Sequence, residues 1–153
     1  MSPLEKYLFL AANLLVGGTG LVYGWFRYFV HSDDPYAVVN HPAQPLWQHL
    51  HIVAAPLLVL AFGHFLYHHA LLYWKAGTTE GRRSGLSLLA LALPMIFSGY
   101  LLQVAVDEAW RQAWIVTHVA TSLLWLAGVV VHLLTHYTSR RALLNQTGVT
   151  GPT

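Results

Sequence analysis

The apolar positions of this chain fall into four long blocks, at about residues 6–29, 47–74, 85–106 and 113–137. Each block reaches the roughly 20 residues that a helix needs to cross a hydrocarbon core of about 30 Å. Polar residues gather in the breaks. The first break, "HSDDPYAVVNHPAQP", holds three prolines and two aspartates and cannot continue a helix. Pro45, near its end, suits the start of the second helix. The second break is "KAGTTEGRRSG", the third is the short polar patch "DEAWRQ", and the tail "NQTGVTGPT" reads as frayed. The pattern predicts an all-α membrane protein. Its expected form is a four-transmembrane-helix bundle, a single domain over residues 1–153.

Charge gives the bundle a direction. Lys6, Lys75, Arg82, Arg83, Arg140 and Arg141 fall on one side of the expected membrane, against only Arg27 and Arg111 near the other. Basic residues favour the cytoplasmic side, so both termini and the middle loop are expected inside. The second and fourth helices then run in the same direction, from outside to inside. Trp25, Trp47, Trp74, Trp110 and Trp114 lie near predicted span ends, where an aromatic belt would put them.

Composition agrees with the pattern and narrows the chemistry. The chain is 56% hydrophobic and 9% charged, where soluble domains carry about 25% charged residues. It has no cysteine, which excludes disulfides, thiolate metal sites, iron–sulfur ligation and C-x-x-C-H haem attachment. The N-terminal stretch does not read as a cleaved signal peptide, because no clear small-residue site follows its long apolar run. Nothing in the sequence suggests a nucleic-acid partner.

The histidines change the picture most. There are ten, at 31, 41, 49, 51, 64, 68, 69, 118, 132 and 136. His31 and His41 are expected to be ordinary polar residues of the outer loop. The other eight all lie on the second and fourth helices, and the third has none. Polar groups inside a membrane helix are costly and usually functional. His118 and His132 are fourteen residues apart, so at about 100° per residue they share a face, about 21 Å apart along the axis. On the second helix His51 and His69 are eighteen apart, and His49 and His64 fifteen. Two parallel helices bearing imidazoles near both ends predict two stacked sites, one near each membrane surface.

Low-spin b-type haem needs such a pair of neutral imidazoles in an apolar slot. Zinc needs four ligands, or three with an open position, and no paired carboxylate or thiolate supplies them. The remaining reading is hydrogen bonding between helices. Two registers compete on the second helix. Face geometry favours His51 with His69, whereas axial distance favours His49 with His64. The preferred assignment pairs His51 with His118 outside and His69 with His132 inside, with His64 and His136 as alternates. A plate held between these helices must also pass the first and third. Gly85 and Gly99 on the third are fourteen apart, each after a serine, and the first carries Gly17, Gly18, Gly20 and Gly24.

Three stretches carry a family resemblance. "SGLSLLALALPMIFSGYLL" resembles the third helix of the di-haem cytochrome b family, "THVATSLLWLAGVVVHLLTH" resembles its fourth, and "GTGLVYGWFRYF" the end of its first. The likeness covers about residues 10–137 at the level of motifs. It extends to the small membrane-anchor cytochromes of bacterial redox complexes. It implies His118 and His132 as axial ligands, Gly85 and Gly99 as clearance glycines, and His136 where a quinone-contacting polar residue often lies. Two features depart from the family. The second helix lacks the H-x13-H spacing, since Phe65 stands fourteen after His51, and "LLQVAVDEA" replaces the quinol-oxidation motif.

The expectation is a non-covalently bound pair of b haems that carries electrons across the membrane. The chain would be an electron-transfer subunit of an oxidoreductase in the bacterial inner membrane rather than a stand-alone enzyme. Its partners would be lipid, membrane quinone, and another subunit such as a periplasmic cytochrome or iron–sulfur protein. The competing expectations are a metal-binding membrane transporter and a cofactor-free structural subunit.

Overall fold

The computed structural model describes residues 2–77 and 82–146 and, among them, is helical throughout with no strand. The segments Pro3–Tyr28, Gln44–Leu71, Arg82–Val104 and Glu108–Thr135 are long and apolar enough to span a membrane. The chain is thus a multi-pass membrane protein by length and composition. It divides into two units, Met1–Ala76 and Gly77–Thr153, and each is a helical hairpin.

The first hairpin packs α1 (Pro3–Tyr28) against α2 (Gln44–Phe65). Ser2 caps α1: its hydroxyl accepts from the Glu5 N–H at 3.3 Å, and Glu5 Oε2 accepts from the Ser2 N–H at 2.7 Å. This reciprocal pair satisfies donors that a helix start otherwise leaves open. Val16, Ala54 and Leu58 form the buried apolar contact, with Asn13 and Thr19 buried beside them. Both polar side chains turn back onto their own helix, Asn13 to the Phe9 carbonyl and Thr19 to those of Leu15 and Val16.

The loop between α1 and α2 is fastened at several points. Asn40 Nδ2 donates to the Arg27 carbonyl at 2.8 Å, and the Asn40 N–H donates to the buried Gln44 at 3.1 Å. His41 accepts from the Ala43 N–H and stacks on Phe26, with ring centroids 4.4 Å apart. His41 is therefore a structural residue of the loop. Pro45 lies in the first turn of α2, as its fixed φ favours.

Pro56 lies inside α2. The helix continues to Phe65 and then widens into a π-helical segment, Leu66–Leu71, followed by a short α3 (Leu72–Lys75). Gly77, with φ of 70°, ends it in the left-handed conformation that suits glycine at a helix C-terminus. The predicted second span, 47–74, thus contains a change of helix type that hydropathy does not reveal.

The second hairpin packs α4 (Arg82–Val104) against α5 (Glu108–Gln146). Ala92, Met95, Ser98 and Trp125 form its buried contact. Trp125 is the sixth tryptophan, mid-span and in the core. The exposed Trp25, Trp74 and Trp110 lie close to helix ends, as expected of a belt. The polar patch "DEAWRQ" is mostly the start of α5. Asp107 Oδ1 accepts from the Trp110 N–H at 3.0 Å and acts as the cap. Asp107→Ala is expected to cost about 1 kcal/mol of stability, read as a lower unfolding temperature of the detergent-solubilised protein. The last residues of the tail, 147–153, lie outside the described residues.

Candidate functional site

The same five-residue arrangement occurs in both hairpins. On α5, His118 Nδ1 lies 3.0 Å from the Met95 carbonyl oxygen and 3.4 Å from Ser98 Oγ. Ser98 Oγ in turn donates to the carbonyls of Pro94 and Met95. On α2, His51 Nδ1 lies 3.0 Å from the Val16 carbonyl oxygen and 3.4 Å from Thr19 Oγ1. Thr19 Oγ1 donates to the carbonyls of Leu15 and Val16. In each case the imidazole reaches across the hairpin to a carbonyl exposed one turn before a hydroxyl residue.

A glycine follows that hydroxyl residue both times, and its place is set by the ring. A Cβ on Gly99 would stand 3.0 Å from His118 Cε1, and a Cβ on Gly20 would stand 2.8 Å from His51 Cε1. Real Cβ atoms essentially never approach below 3.0 Å and rarely come that near. The glycines therefore clear space for the imidazoles of the facing helix. Gly99 was expected to clear a porphyrin. Within the hairpin, the group it makes room for is His118.

This geometry places a proton on one nitrogen of each ring. A carbonyl oxygen only accepts, so Nδ1 must carry the proton in His51 and His118. In the neutral form of each ring, Nε2 then holds the lone pair. Histidines that bind metals nearly always donate the other ring N–H to a carbonyl, a carboxylate or water, which orients the ring and raises its basicity. Both rings are half-buried.

A third imidazole is fastened similarly. His132 Nδ1 lies 2.8 Å from Ser84 Oγ, and a Cβ on Gly85 would stand 3.9 Å from His132 Cε1, an ordinary contact. The Ser–Gly pairs at 84–85 and 98–99 thus meet His132 and His118 respectively. The two pairs and the two histidines are each fourteen residues apart on antiparallel helices.

The remaining candidates on α2 and its continuation divide by environment. His49, His64 and His68 are exposed, whereas His69 is half-buried. His64 Nε2 lies 3.1 Å from Glu5 Oε1, and its ring lies 4.4 Å from that of His68. His69 sits in the π-helical segment with its ring 4.6 Å from that of Phe65. The arithmetic that put His51 and His69 on one face assumes α-helix throughout. A π-helical turn takes more residues and rotates the chain beyond it, so the eighteen-residue spacing does not preserve a common face. The alternate His136 lies on α5, outside the residues whose side chains are described.

Sequence reasoning singled out "SG" twice and did not see that "TG" at 19–20 is its counterpart on α1. The signal was present as a hydroxyl residue followed by glycine. The pairing between Glu5 and His64 had no such signal, because it joins residues 59 apart. Among the described residues, no group of three or more His, Cys, Asp or Glu side chains is placed to hold a metal ion on its own. No protein-family profile, curated protein or solved structure matches the chain.

Proposed function

We propose that this chain is a haem-carrying membrane subunit of a redox complex and passes electrons across the bilayer. The observation that carries the reading is the repeated anchor. His51 and His118 each donate Nδ1–H to a carbonyl, at 3.0 Å in both hairpins, beside a hydroxyl and a glycine that accommodate the ring. The glycine that admits each ring recurs with its hydroxyl and carbonyl partners in both hairpins, so the two imidazoles are held in one repeated orientation. A zinc or copper site requires more protein ligands than any described cluster supplies.

The residues suit haem b. His51, His118 and His132 are the proposed haem ligands, each through Nε2. Haem supplies one-electron redox chemistry when bound. The chain's own part is to orient neutral imidazoles and to surround them with apolar side chains. Membrane quinone and a periplasmic cytochrome or iron–sulfur subunit are the proposed exchange partners. The proposed location is a bacterial inner membrane with both termini inside, in keeping with the basic residues at Lys6, Lys75, Arg82 and Arg83.

The test is an absorption spectrum of the purified protein, oxidised and then reduced with dithionite, with a pyridine haemochrome assay. The expected result is b-type haem with sharp low-spin bands on reduction. Protein that is folded and expressed with haem available, yet colourless, would overturn the reading.

A further inference from the structure

One end of the first hairpin carries a carboxylate–imidazole pair that the proposed haem ligands leave unused. Glu5 lies in the first turn of α1, and its carboxylate is held twice. Oε2 accepts from the Ser2 N–H at 2.7 Å, and Oε1 lies 3.1 Å from His64 Nε2. An ionised carboxylate only accepts, so Nε2 carries the proton, and in the neutral ring Nδ1 holds the lone pair. No hydrogen bond holds Nδ1 among the described residues. The side chain of His64 is 53% exposed and that of Glu5 25%. His64 and Phe65 are also the last residues of α2 before the π-helical segment, an irregularity that frequently accompanies functional sites.

Beside the pair runs an apolar groove between α1 and α2. A cavity of about 300 Å³ borders Glu5 and His64 and is walled by Phe9, Leu60 and Phe65. The rings of Phe9 and Phe65 stack there at 4.4 Å. A second cavity, of about 310 Å³, runs along Ala11, Ala12, Leu15 and Leu57. The two share Leu8 and Ala61 and so continue one another. Each is at the low end of the roughly 300–1,000 Å³ of small-molecule sites. All of these residues belong to the first hairpin.

The lining selects its occupant. The alanine-lined stretch suits an apolar tail, and the place beside the two phenylalanines suits a flat ring. Nδ1 calls for a hydroxyl that donates. The Glu5 carboxylate repels a phosphate head, and a neutral lipid alcohol brings the hydroxyl without the ring. We infer that Glu5, His64 and this groove form a binding site for the reduced, hydroquinone form of a membrane quinone. The oxidised form has only carbonyl oxygens there and cannot donate to neutral His64. The inference goes beyond the proposed function, since its geometry lies within one hairpin and involves no haem.

The test is equilibrium dialysis of the full chain in detergent, without oxygen, against a benzohydroquinone with a ten-carbon tail. Its dimethyl ether, with the same tail, is the comparison. The expected result is saturable binding of the hydroquinone, weaker by roughly 3- to 10-fold for the ether, as loss of one hydrogen bond implies. His64→Leu is expected to bring the hydroquinone down to the affinity of the ether. Ala11→Phe, on an exposed position of the groove, is expected to weaken both. His49→Ala, exposed and outside the groove, is expected to change neither. Equal affinity for hydroquinone and ether in the wild type overturns the inference without recourse to any variant. A difference that survives His64→Leu overturns it too. A chain that carries haem and binds no hydroquinone loses this site and keeps the haem function, and one that binds hydroquinone without haem does the reverse.

Discussion

Replacing His118 by alanine is expected to lower the haem content per chain, and His51→Ala is expected to do the same. Either change removes a proposed axial imidazole, and a haem held without covalent attachment then depends on what ligation remains and on apolar contact. The helices should persist, since each ring is only half-buried and the apolar contacts of both hairpins are made by other side chains, such as Leu58 and Trp125. Haem per chain from a pyridine haemochrome assay, beside far-ultraviolet circular dichroism, separates cofactor loss from unfolding. His118→Gly grown with added imidazole is expected to regain the low-spin spectrum, because a free imidazole can occupy the space left by the side chain. Full haem content in both alanine variants would exclude these two residues as ligands.

Ser98→Ala gives a milder contrast. The hydroxyl is 3.4 Å from Nδ1 while the Met95 carbonyl is 3.0 Å away, so the backbone keeps most of the anchor. Outer partners of metal-binding histidines typically account for about 10–100-fold in affinity, and the low end of that range is expected here. A haem titration of the apoprotein measures it.

The architecture was legible because it depends on length and hydropathy. The four blocks at 6–29, 47–74, 85–106 and 113–137 correspond to helices whose ends differ by a few residues or by one turn. The long exception is α5, which continues to Gln146. There "TSRRALLNQ" has the residues of an ordinary helix but not of a membrane span, and a hydropathy argument stops where the apolar run stops. The π-helical segment at Leu66–Leu71 was illegible for a different reason. Helix type depends on which carbonyl each N–H reaches, and "LYHHAL" carries no composition that distinguishes i→i−4 from i→i−5.

The site was legible in part for an equally physical reason. Histidine spacing along one helix follows from 3.6 residues per turn, so His118 and His132 could be paired from sequence. Which residue of the neighbouring helix meets each ring depends on the hairpin register, and that is set by a loop whose length is not proportional to a turn. The correspondence of Leu15, Val16, Thr19 and Gly20 with Pro94, Met95, Ser98 and Gly99 appears only once the register is known. Side-chain identity hides it further, since two of the four contribute carbonyl oxygens.

Alanine at Gly20 or Gly99 is expected to disturb the site as severely as loss of a ligand, and alanine at Gly85 is not. On an open helix, glycine to alanine is favourable by about 1 kcal/mol. Gly18 and Gly24 have nothing within 4 Å of an added Cβ, so Gly18→Ala and Gly24→Ala should be neutral or slightly stabilising. At Gly128 the added Cβ meets Leu88 Cδ2 at 2.9 Å, the far end of a flexible side chain that can rotate away. The imidazoles have no such freedom. Moving His118 from a Cβ at 3.0 Å, or His51 from one at 2.8 Å, lengthens the 3.0 Å bond that each makes to a carbonyl. Overpacking of this kind costs about 1–3 kcal/mol, and it also turns Nε2 away from the position proposed for the iron. Gly20→Ala and Gly99→Ala are therefore expected to lose haem, read by haem content and the reduced spectrum. Gly85→Ala, at 3.9 Å from His132, is expected to keep both haems. If Gly85→Ala strips haem as fully as Gly99→Ala, the glycines make room for the porphyrin itself, and the imidazole contacts at Gly20 and Gly99 are secondary.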